Sequence, residues 1–346
     1  MSENEKKMLS RREALRLFGI GGAAAASGLI GANRIASAQT EQQQPANLQA
    51  ANSQGAGFYR FNVGALECLV VNDGTLQGPP LPPLAINAPK ADAETALRDN
   101  FLPTTSNTLH VNALVVKAGD KLVLIDTGSG DSVGPTTGRL KTNLQRAGIA
   151  PEKVTDVVFT HAHPDHAGGN VAADGRLNYP NARFHIAQAE WETWTAKNVN
   201  LGKTQVDAAT AKAFTEITQK NLLPLKDRLQ LFKPGAEIVS GISSVAAAGH
   251  TPGHTAFLIA SGNESVMHAG DFAHHFVLQL INPDWHVAFD FEPQQAIATR
   301  KKLLDRLATD RTLIVGSHMP FPGVGHVRAK NSRRTSYEWI PAVWQW

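Results

Sequence analysis

Short apolar runs bounded by turn residues recur along most of this chain, and fewer segments have the apolar spacing of helices. Runs rich in Val, Ile and Leu that end at Gly, Pro, Asn or Asp predict strands. The predicted strands are Tyr59–Val63, Glu67–Asn72, Asn112–Lys117, Lys121–Asp126, Val154–Thr160, Arg183–Ile186, Ile242–Ala248, Thr255–Ile259, Ser265–Ala269 and Thr312–Val315. Helical spacing predicts helices over Arg139–Ala147, Gln188–Lys197, Asp207–Asn221 and Glu292–Leu307.

These elements occur in two similar halves, and polar side chains follow the strands of both. The order of strands and helices indicates an α/β (α+β) protein in which two packed sheets are flanked by helices. The Pro-rich stretch Asp73–Ser106 interrupts the first half. We predict that it is a long surface excursion over the mouth of a functional site.

The densest cluster of reactive side chains directly follows the predicted strand that ends at Thr160. His161, His163, Asp165 and His166 fall within six residues. Residues two apart on an extended chain project to the same side, so His161 and His163 can share one metal ion. Pro164 ends the strand, and Asp165 and His166 open a helix, from which they can bind a second ion.

This segment, two earlier motifs and four later motifs resemble the metallo-β-lactamase superfamily. Within it, the chain is most similar to methyl parathion hydrolases and related lactonases over about residues 57–340. The motifs are Leu124-Ile125-Asp126-Thr127-Gly128, Gly134 to Leu140, Thr160 to Gly169, Gly249-His250-Thr251-Pro252-Gly253-His254, Ala269-Gly270-Asp271, Gly316-Ser317-His318 and Phe321 to Arg328. The resemblance implies the four-layer αββα sandwich of the metallo-β-lactamase fold over residues 57–346.

The resemblance also implies which residues hold two divalent ions. The first ion would be bound by His161, His163 and His250, and the second by Asp165, His166 and His318, with Asp271 as a bridge. Nitrogen and oxygen ligands without a thiolate favour zinc, while manganese, iron and cobalt stay open. Two such ions hold a bridging hydroxide as the nucleophile, and Asp271 or Asp165 would take up the proton.

We expect other polar residues near these motifs to support the ligands or to contact the substrate. Asp126 is expected to orient a ligand histidine, and His254 to support the turn after His250. His274 stands where related lactonases have a tyrosine that donates to substrate, and we expect it to contact the substrate or the leaving group. Structural roles are expected for His110, His185, His268, His286 and His326.

Aromatic residues near the ligands are expected in the core or along an open site. They are Trp191, Trp194, Phe214, Phe272, Phe276, Trp285 and Phe289. Val133 replaces a pocket phenylalanine of methyl parathion hydrolases, which weakens the case for aryl phosphotriesters as specific substrates.

Charge and cysteine content narrow the functional classes. Residues 1–38 hold 6 of the 33 basic and 3 of the 30 acidic residues, which leaves 27 of each in the remainder. A neutral body argues against a nucleic-acid partner, because phosphate neutralisation supplies most of that affinity. Cys68 is the sole cysteine. A single cysteine excludes an intrachain disulfide. We expect Cys68 to be a small residue of the core.

The N-terminal segment has the pattern of a signal peptide. A basic start with Arg11 and Arg12 precedes a Gly- and Ala-rich run, and Ala36-Ser37-Ala38 offers a cleavage site. The arginine pair indicates a twin-arginine signal over residues 1–38, the twin-arginine export machinery as a partner, and a periplasmic or secreted protein. An ordinary secretory signal or an uncleaved anchor stays open, although the run is too short and Gly-rich for a stable membrane anchor. Residues 39–56 are expected to be a flexible linker.

Together these features predict an exported dinuclear metallohydrolase that acts on a neutral, apolar small-molecule ester. The substrate would be a lactone such as an acyl-homoserine lactone, or an organophosphate triester. A β-lactamase or a glyoxalase II-like thioesterase is the alternative, and a redox iron protein or a non-catalytic metal-binding protein is an alternative of another class. A homodimer also stays open.

Overall fold

The computed structural model describes residues 57–344, so the predicted signal peptide and the whole of the predicted linker lie outside the described residues. Fourteen strands form two sheets of seven strands each. The strands of the first sheet are β1 Phe58–Val63, β2 Leu66–Gly78, β3 Asn107–Ala118, β4 Lys121–Ile125, β5 Asp156–Val158, β6 Arg183–Ala187 and β7 Leu229–Phe232. Those of the second are β8 Glu237–Val239, β9 Ile242–Ala246, β10 Thr255–Ser261, β11 Glu264–His268, β12 Leu313–Val315, β13 Val324–Ala329 and β14 Tyr337–Pro341.

Each sheet follows the chain order and mixes both strand directions. In the first, β1 to β4 pair antiparallel, and β4 to β7 pair parallel. In the second sheet, only β11 and β12 pair parallel among the described strands. The helices are α1 Lys90–Asp99, α2 Leu140–Arg146, α3 Pro164–Ala167, α4 Gln188–Trp194, α5 Ala208–Leu222, α6 Leu278–Ile281 and α7 Pro293–Asp310.

Alternation along the strands builds the layers of the molecule. Val70 and Val116 face the core between the two sheets, where they join Phe257 of the second sheet. Their neighbours on the strands, Leu69 and Val115, belong to the core on the outer face of the first sheet. Successive strand residues point to opposite faces, so each central strand serves two apolar layers.

The outer face of the second sheet is covered by α7. Leu303, Leu304 and Leu307 of this helix pack with Met267 and Ile314 of β11 and β12. Helices therefore cover the outer faces of two packed sheets, which confirms the predicted αββα sandwich. Cys68 is buried in the core between the sheets, as predicted.

The prediction for Asp73–Ser106 is wrong in part. β2 continues to Gly78 past an irregularity between Asn72 and Gly74, and α1 lies inside the stretch. Ala93 and Leu97 of α1 pack against Trp285. The proline content of this segment favours a loop. The segment is nevertheless ordered, because β2 pairs with the long β3 and one face of α1 is buried.

Several element bounds also differ from the predictions. Val154–Thr160 contains only the three-residue strand β5, after a short 3₁₀ turn at Pro151–Lys153. β7, β8, β13, β14 and α6 were not predicted. Their sequences are short or lack a clean period, and pairing with neighbours decides their structure. No helix of residues 57–344 has the length and apolar character that a membrane span requires.

Candidate metal centre

The seven candidate ligands come together where strands of both sheets end. His161 and His163 follow β5, and Asp165 and His166 lie in α3. The remaining three follow strands of the second sheet, namely His250 after β9, Asp271 after β11 and His318 after β12. Side chains from remote parts of the chain therefore meet at one edge of the sandwich.

Three histidine nitrogens converge in the first group. His163 Nδ1 lies 3.0 Å from His161 Nε2 and 2.9 Å from His250 Nε2. All three side chains are buried. Nitrogens of neutral imidazoles that face each other at this distance form a cradle for a cation.

The second group combines two histidines with a carboxylate. Asp165 Oδ2 lies 3.5 Å from His166 Nε2 and 3.4 Å from His318 Nε2. Asp271 lies between the two groups. Its Oδ2 is 3.6 Å from His250 Nε2 and 3.0 Å from His318 Nε2, and its Oδ1 is 3.3 Å from His166 Nε2.

Unpaired polar atoms show that this donor set fits cations. His166 Nε2 and Asp271 Oδ1 are buried and make no hydrogen bond within the described part of the chain, although they lie 3.3 Å apart. Buried polar groups are normally paired, and a bound ion satisfies such orphans. The histidine and carboxylate donors suit zinc and similar divalent ions.

Electrostatics divide the histidines into two sets. Burial, followed by the neighbouring imidazoles, lowers the pKa of His163 to about 3 and that of His161 well below its usual value. Burial also disfavours a charged His166, but the carboxylates of Asp271, Asp165 and Asp126 outweigh it and raise the pKa of His166. The charged form is thus disfavoured for His161 and His163 of the first group, whereas the neighbouring carboxylates favour it for His166 of the second.

Partners outside the cluster fix the imidazole rings. Asp126 Oδ2 accepts a hydrogen bond from His166 Nδ1 at 2.9 Å, and Asp126 also accepts from the backbone and hydroxyl of Thr160. The contact expected between Asp126 and a ligand histidine is thus present. Asp126 has a φ of 63°, an uncommon conformation for a residue with a side chain, which places its carboxylate under α3.

A buried carboxylate that the sequence analysis did not single out joins two ligand loops. Glu190 accepts hydrogen bonds from the Ala162 and Gly253 backbone N–H groups, the Thr251 hydroxyl and the Trp194 indole. Burial raises the pKa of Glu190, and these donors oppose that shift. Its sequence position, within an ordinary amphipathic helix, carries no local signal of this role.

Asp290 was also missed by the sequence analysis. Its Oδ1 accepts a hydrogen bond from His250 Nδ1 at 2.9 Å. The two residues are 40 positions apart, and Asp290 belongs to no motif of the resemblance. Only the tertiary structure brings them together.

His274 lies at the centre itself. Its Nε2 is 3.2 Å from Asp271 Oδ2, its Nδ1 is buried without a hydrogen-bond partner in the described chain, and its ring lies 4.6 Å from that of His250. His250, Asp271 and His274 also form a group that could hold a metal ion. The chain thus offers an additional donor next to the predicted ligands.

Two histidines outside the candidate ligand set make hydrogen bonds within the protein instead. His254 Nε2 accepts from the Asp271 backbone N–H, and its Nδ1 donates to the Ala247 carbonyl. His185 pairs with Asp156 at 2.9 Å. His254 thus supports not only its own turn but also the backbone of the bridging candidate.

A small cavity opens onto the metal-binding groups. Its volume is about 90 Å³, and no lysine or arginine lines it. Besides the candidate ligands and His274, its walls are Leu76, Leu109, Val133, Pro164, Phe214 and Phe289. Phe214 and Phe289 are thus the aromatic candidates that reach the cavity, while Trp194, Phe272 and Trp285 are buried in the core.

Proteins similar to this chain in sequence or structure include lactonases and other hydrolases. The model of the metallo-beta-lactamase superfamily matches residues 107–318. An N-acyl homoserine lactonase of Bacillus cereus is 29% identical over 121 residues, which are 35% of this chain and 39% of that protein. The chain thus aligns with about two fifths of this curated relative.

Two solved structures match over most of their length. AidC, a dizinc quorum-quenching lactonase in complex with a product, is 33% identical with a TM-score of 0.78, and the match covers 84% of this chain and 98% of AidC. The hydrolase AbOPH of the beta lactamase superfamily is 29% identical with a TM-score of 0.76, and the match covers 85% and 100%.

Proposed function

The chain belongs to the metallo-β-lactamase superfamily, and from that premise we propose that it is a dinuclear metal-dependent lactonase whose substrates are acyl-homoserine lactones. The observation that carries the proposal is the small, largely apolar cavity directly above the two groups of candidate ligands. The similarity to a dizinc lactonase supports it. An uncharged ring with an apolar acyl chain suits walls without lysine or arginine.

We propose that the first ion is held by His161, His163 and His250, and the second by Asp165, His166 and His318, with Asp271 shared. Divalent ions held by these residues, most simply zinc, would supply a nucleophilic water of lowered pKa and would polarise the lactone carbonyl. Asp271 fixes the separation of the two groups, since its oxygens face both.

The reaction itself is the opening of an ester by water. A C–O bond forms between water and the carbonyl carbon, and the ring C–O bond breaks. Asp271 or Asp165 takes the proton from water, which then passes to the leaving alkoxide. His274 lines the cavity and contacts the substrate or the leaving group.

A phosphotriester is the second candidate, because it too is uncharged and electrophilic. The similarity to a dizinc lactonase favours the lactone over the triester. A thioesterase of the glyoxalase II type needs basic residues for an anionic conjugate, and the walls of this cavity offer none.

The test is a hydrolysis screen of the protein reconstituted with zinc, manganese or cobalt. Substrates are acyl-homoserine lactones of several chain lengths, an aryl ester, a phosphotriester and a β-lactam, and chelator-treated protein is the control. We expect the highest kcat/KM for the lactones. A higher value for the phosphotriester or the β-lactam would contradict the proposed substrate class.

We further propose export through the twin-arginine route. Arg11, Arg12 and the Ala36-Ser37-Ala38 site support this proposal. That route carries folded protein, which fits an enzyme that binds its metal in the cytoplasm.

A further inference from the structure

His250 is oriented by a carboxylate on the side away from the candidate metal. Asp290 Oδ1 accepts from His250 Nδ1 at 2.9 Å, and the Asp290 side chain is fully buried. With Asp290 as the acceptor of this hydrogen bond, Nδ1 carries the proton and the lone pair of Nε2 is free. That Nε2 is the atom that faces His163 and Asp271.

Backbone hydrogen bonds hold the Asp290 segment beside His250. Phe291 N–H donates to the His250 carbonyl at 3.0 Å, and Glu292 N–H donates to the Gly249 carbonyl at 2.9 Å. The main chain directly after Asp290 is therefore held against the main chain of Gly249 and His250.

Arg300 of α7 links this carboxylate to the segment that follows Asp271. The side chain is 1% exposed, and its NH2 lies 3.7 Å from Asp290 Oδ2. Its Nε donates to the Phe272 carbonyl at 2.8 Å, and its NH1 donates to the Pro283 and Trp285 carbonyls. A planar guanidinium presents these donors in one fixed arrangement, which a lysine cannot reproduce.

We propose that Asp290 and Arg300 are positioning residues of the metal centre. Asp290 sets the tautomer and ring orientation of His250, and Arg300 fixes both Asp290 and the backbone next to Asp271. Asp126 contacts His166 in the same manner, so each group of candidate ligands has its own buried carboxylate. The inference rests on the proposed two-metal centre. It adds that the metal affinity of each group of ligands can be lowered separately.

The experiment is a zinc titration of the metal-free wild type and of the metal-free Asp290→Asn variant. We expect the variant to lose about 10-fold to 100-fold in zinc affinity at one of the two sites, the scale for partners that orient a metal-binding histidine. The second site keeps its affinity. With cobalt in place of zinc, the absorption spectrum of the weakened site changes as well.

Asp156→Asn is the matched control. Asp156 and His185 form a buried pair with the same 2.9 Å distance, Lys121 lies 3.7 Å from this carboxylate, and neither partner is a candidate ligand. We expect this variant to bind zinc and cobalt as the wild type does, even if its stability falls. Loss of affinity in both variants alike would show that Asp290 has only a structural role and would overturn the proposal.

If Asp290→Asn does not fold, Arg300→Lys is the second variant to test. It keeps the positive charge but lacks the planar guanidinium group and its fixed set of donors. We expect weaker zinc binding at the same single site. In zinc-loaded wild type labelled with ¹⁵N-histidine, NMR should place the proton of His250 on Nδ1. If the wild type binds two zinc ions and the folded variants bind both with the same affinity, the positioning role is refuted. If the wild type binds no zinc, the metal centre itself is refuted.

Discussion

At the scale of single residues, Asp271 is the side chain on which the candidate centre depends. Its two oxygens face nitrogens of both groups. Within 3.8 Å they meet the histidines His161, His166, His250, His274 and His318. These imidazoles outweigh the effect of burial and hold the pKa of Asp271 well below its usual range. An ionised carboxylate in this place offsets part of the charge of two cations.

Asp271→Asn should therefore impair turnover more than folding. The amide keeps the shape but removes the charge, so we expect folded protein with weaker zinc binding and a rate loss of at least about 100-fold. Measurements are circular dichroism, zinc titration and kcat/KM on a lactone.

His254→Ala is the comparison for this prediction. His254 contacts the backbone of Asp271 but not its carboxylate. We expect a much smaller loss of rate at saturating metal. The reverse order of the two effects would require a different set of ligands.

At the scale of elements, the short helix α3 is held close to the turn after β4. Thr127 N–H donates to the His166 carbonyl at 2.7 Å, and Gly169 N–H donates to the Gly128 carbonyl at 3.0 Å. A Cβ on Gly169 would lie 2.0 Å from the Thr127 carbonyl oxygen. Close approach of the two backbones thus keeps Asp126 within reach of His166.

Gly169→Ala should destabilise the protein through this contact. Insertion of a methyl group into a packed site costs about 1–3 kcal/mol. Gly78→Ala is the control, because a Cβ there meets no atom within 4 Å, and such a surface change falls within about 0.5 kcal/mol. Urea unfolding of metal-free proteins measures both, and equal midpoints would contradict the assigned contact.

At the scale of the whole molecule, the space between the two sheets is an apolar core. Cys68 is 2% exposed among valines and isoleucines of both sheets. Burial raises the pKa of its thiol to about 12. A thiol reacts as the thiolate, so this position should be inert while the sandwich is intact.

Ellman's reagent should therefore find no reactive thiol in the folded wild type. In denaturant, one thiol per chain should react, because Cys68 is the single cysteine of the sequence. Asn263→Cys, at an exposed position between β10 and β11, is the positive control. Reaction of the folded wild type at the rate of this variant would show that the sheets separate readily.

Export concerns the whole chain as well. If residues 1–38 are a twin-arginine signal, replacement of Arg11 and Arg12 by lysine should leave uncleaved protein in the cytoplasm, although the charge is kept. Lys6→Arg with Lys7→Arg is the control, and it should be exported normally. Protein that still begins near Gln39 in the periplasm after loss of both arginines would speak for another route.

The sequence by itself was sufficient for most strands and helices and for two packed sheets flanked by helices, while the resemblance of its motifs to a known family supplied the four-layer sandwich and the set of candidate ligands. Strand alternation is local, so Val70 and Leu69 could be assigned to opposite faces of a sheet from their neighbours alone. The spacing of His161 and His163 after a strand is local in the same sense. His250, Asp271 and His318, which follow β9, β11 and β12, were predicted from the motifs next to those strands.

Only the tertiary structure decided which side chains support these residues. Asp290 reaches His250 over 40 positions, and Glu190 joins loops 28 and 63 positions away. No local period marks such contacts, because they arise when the two sheets pack and bring remote strand ends together. For the same reason α1 and the end of β2 were missed, since partners distant in sequence stabilise them.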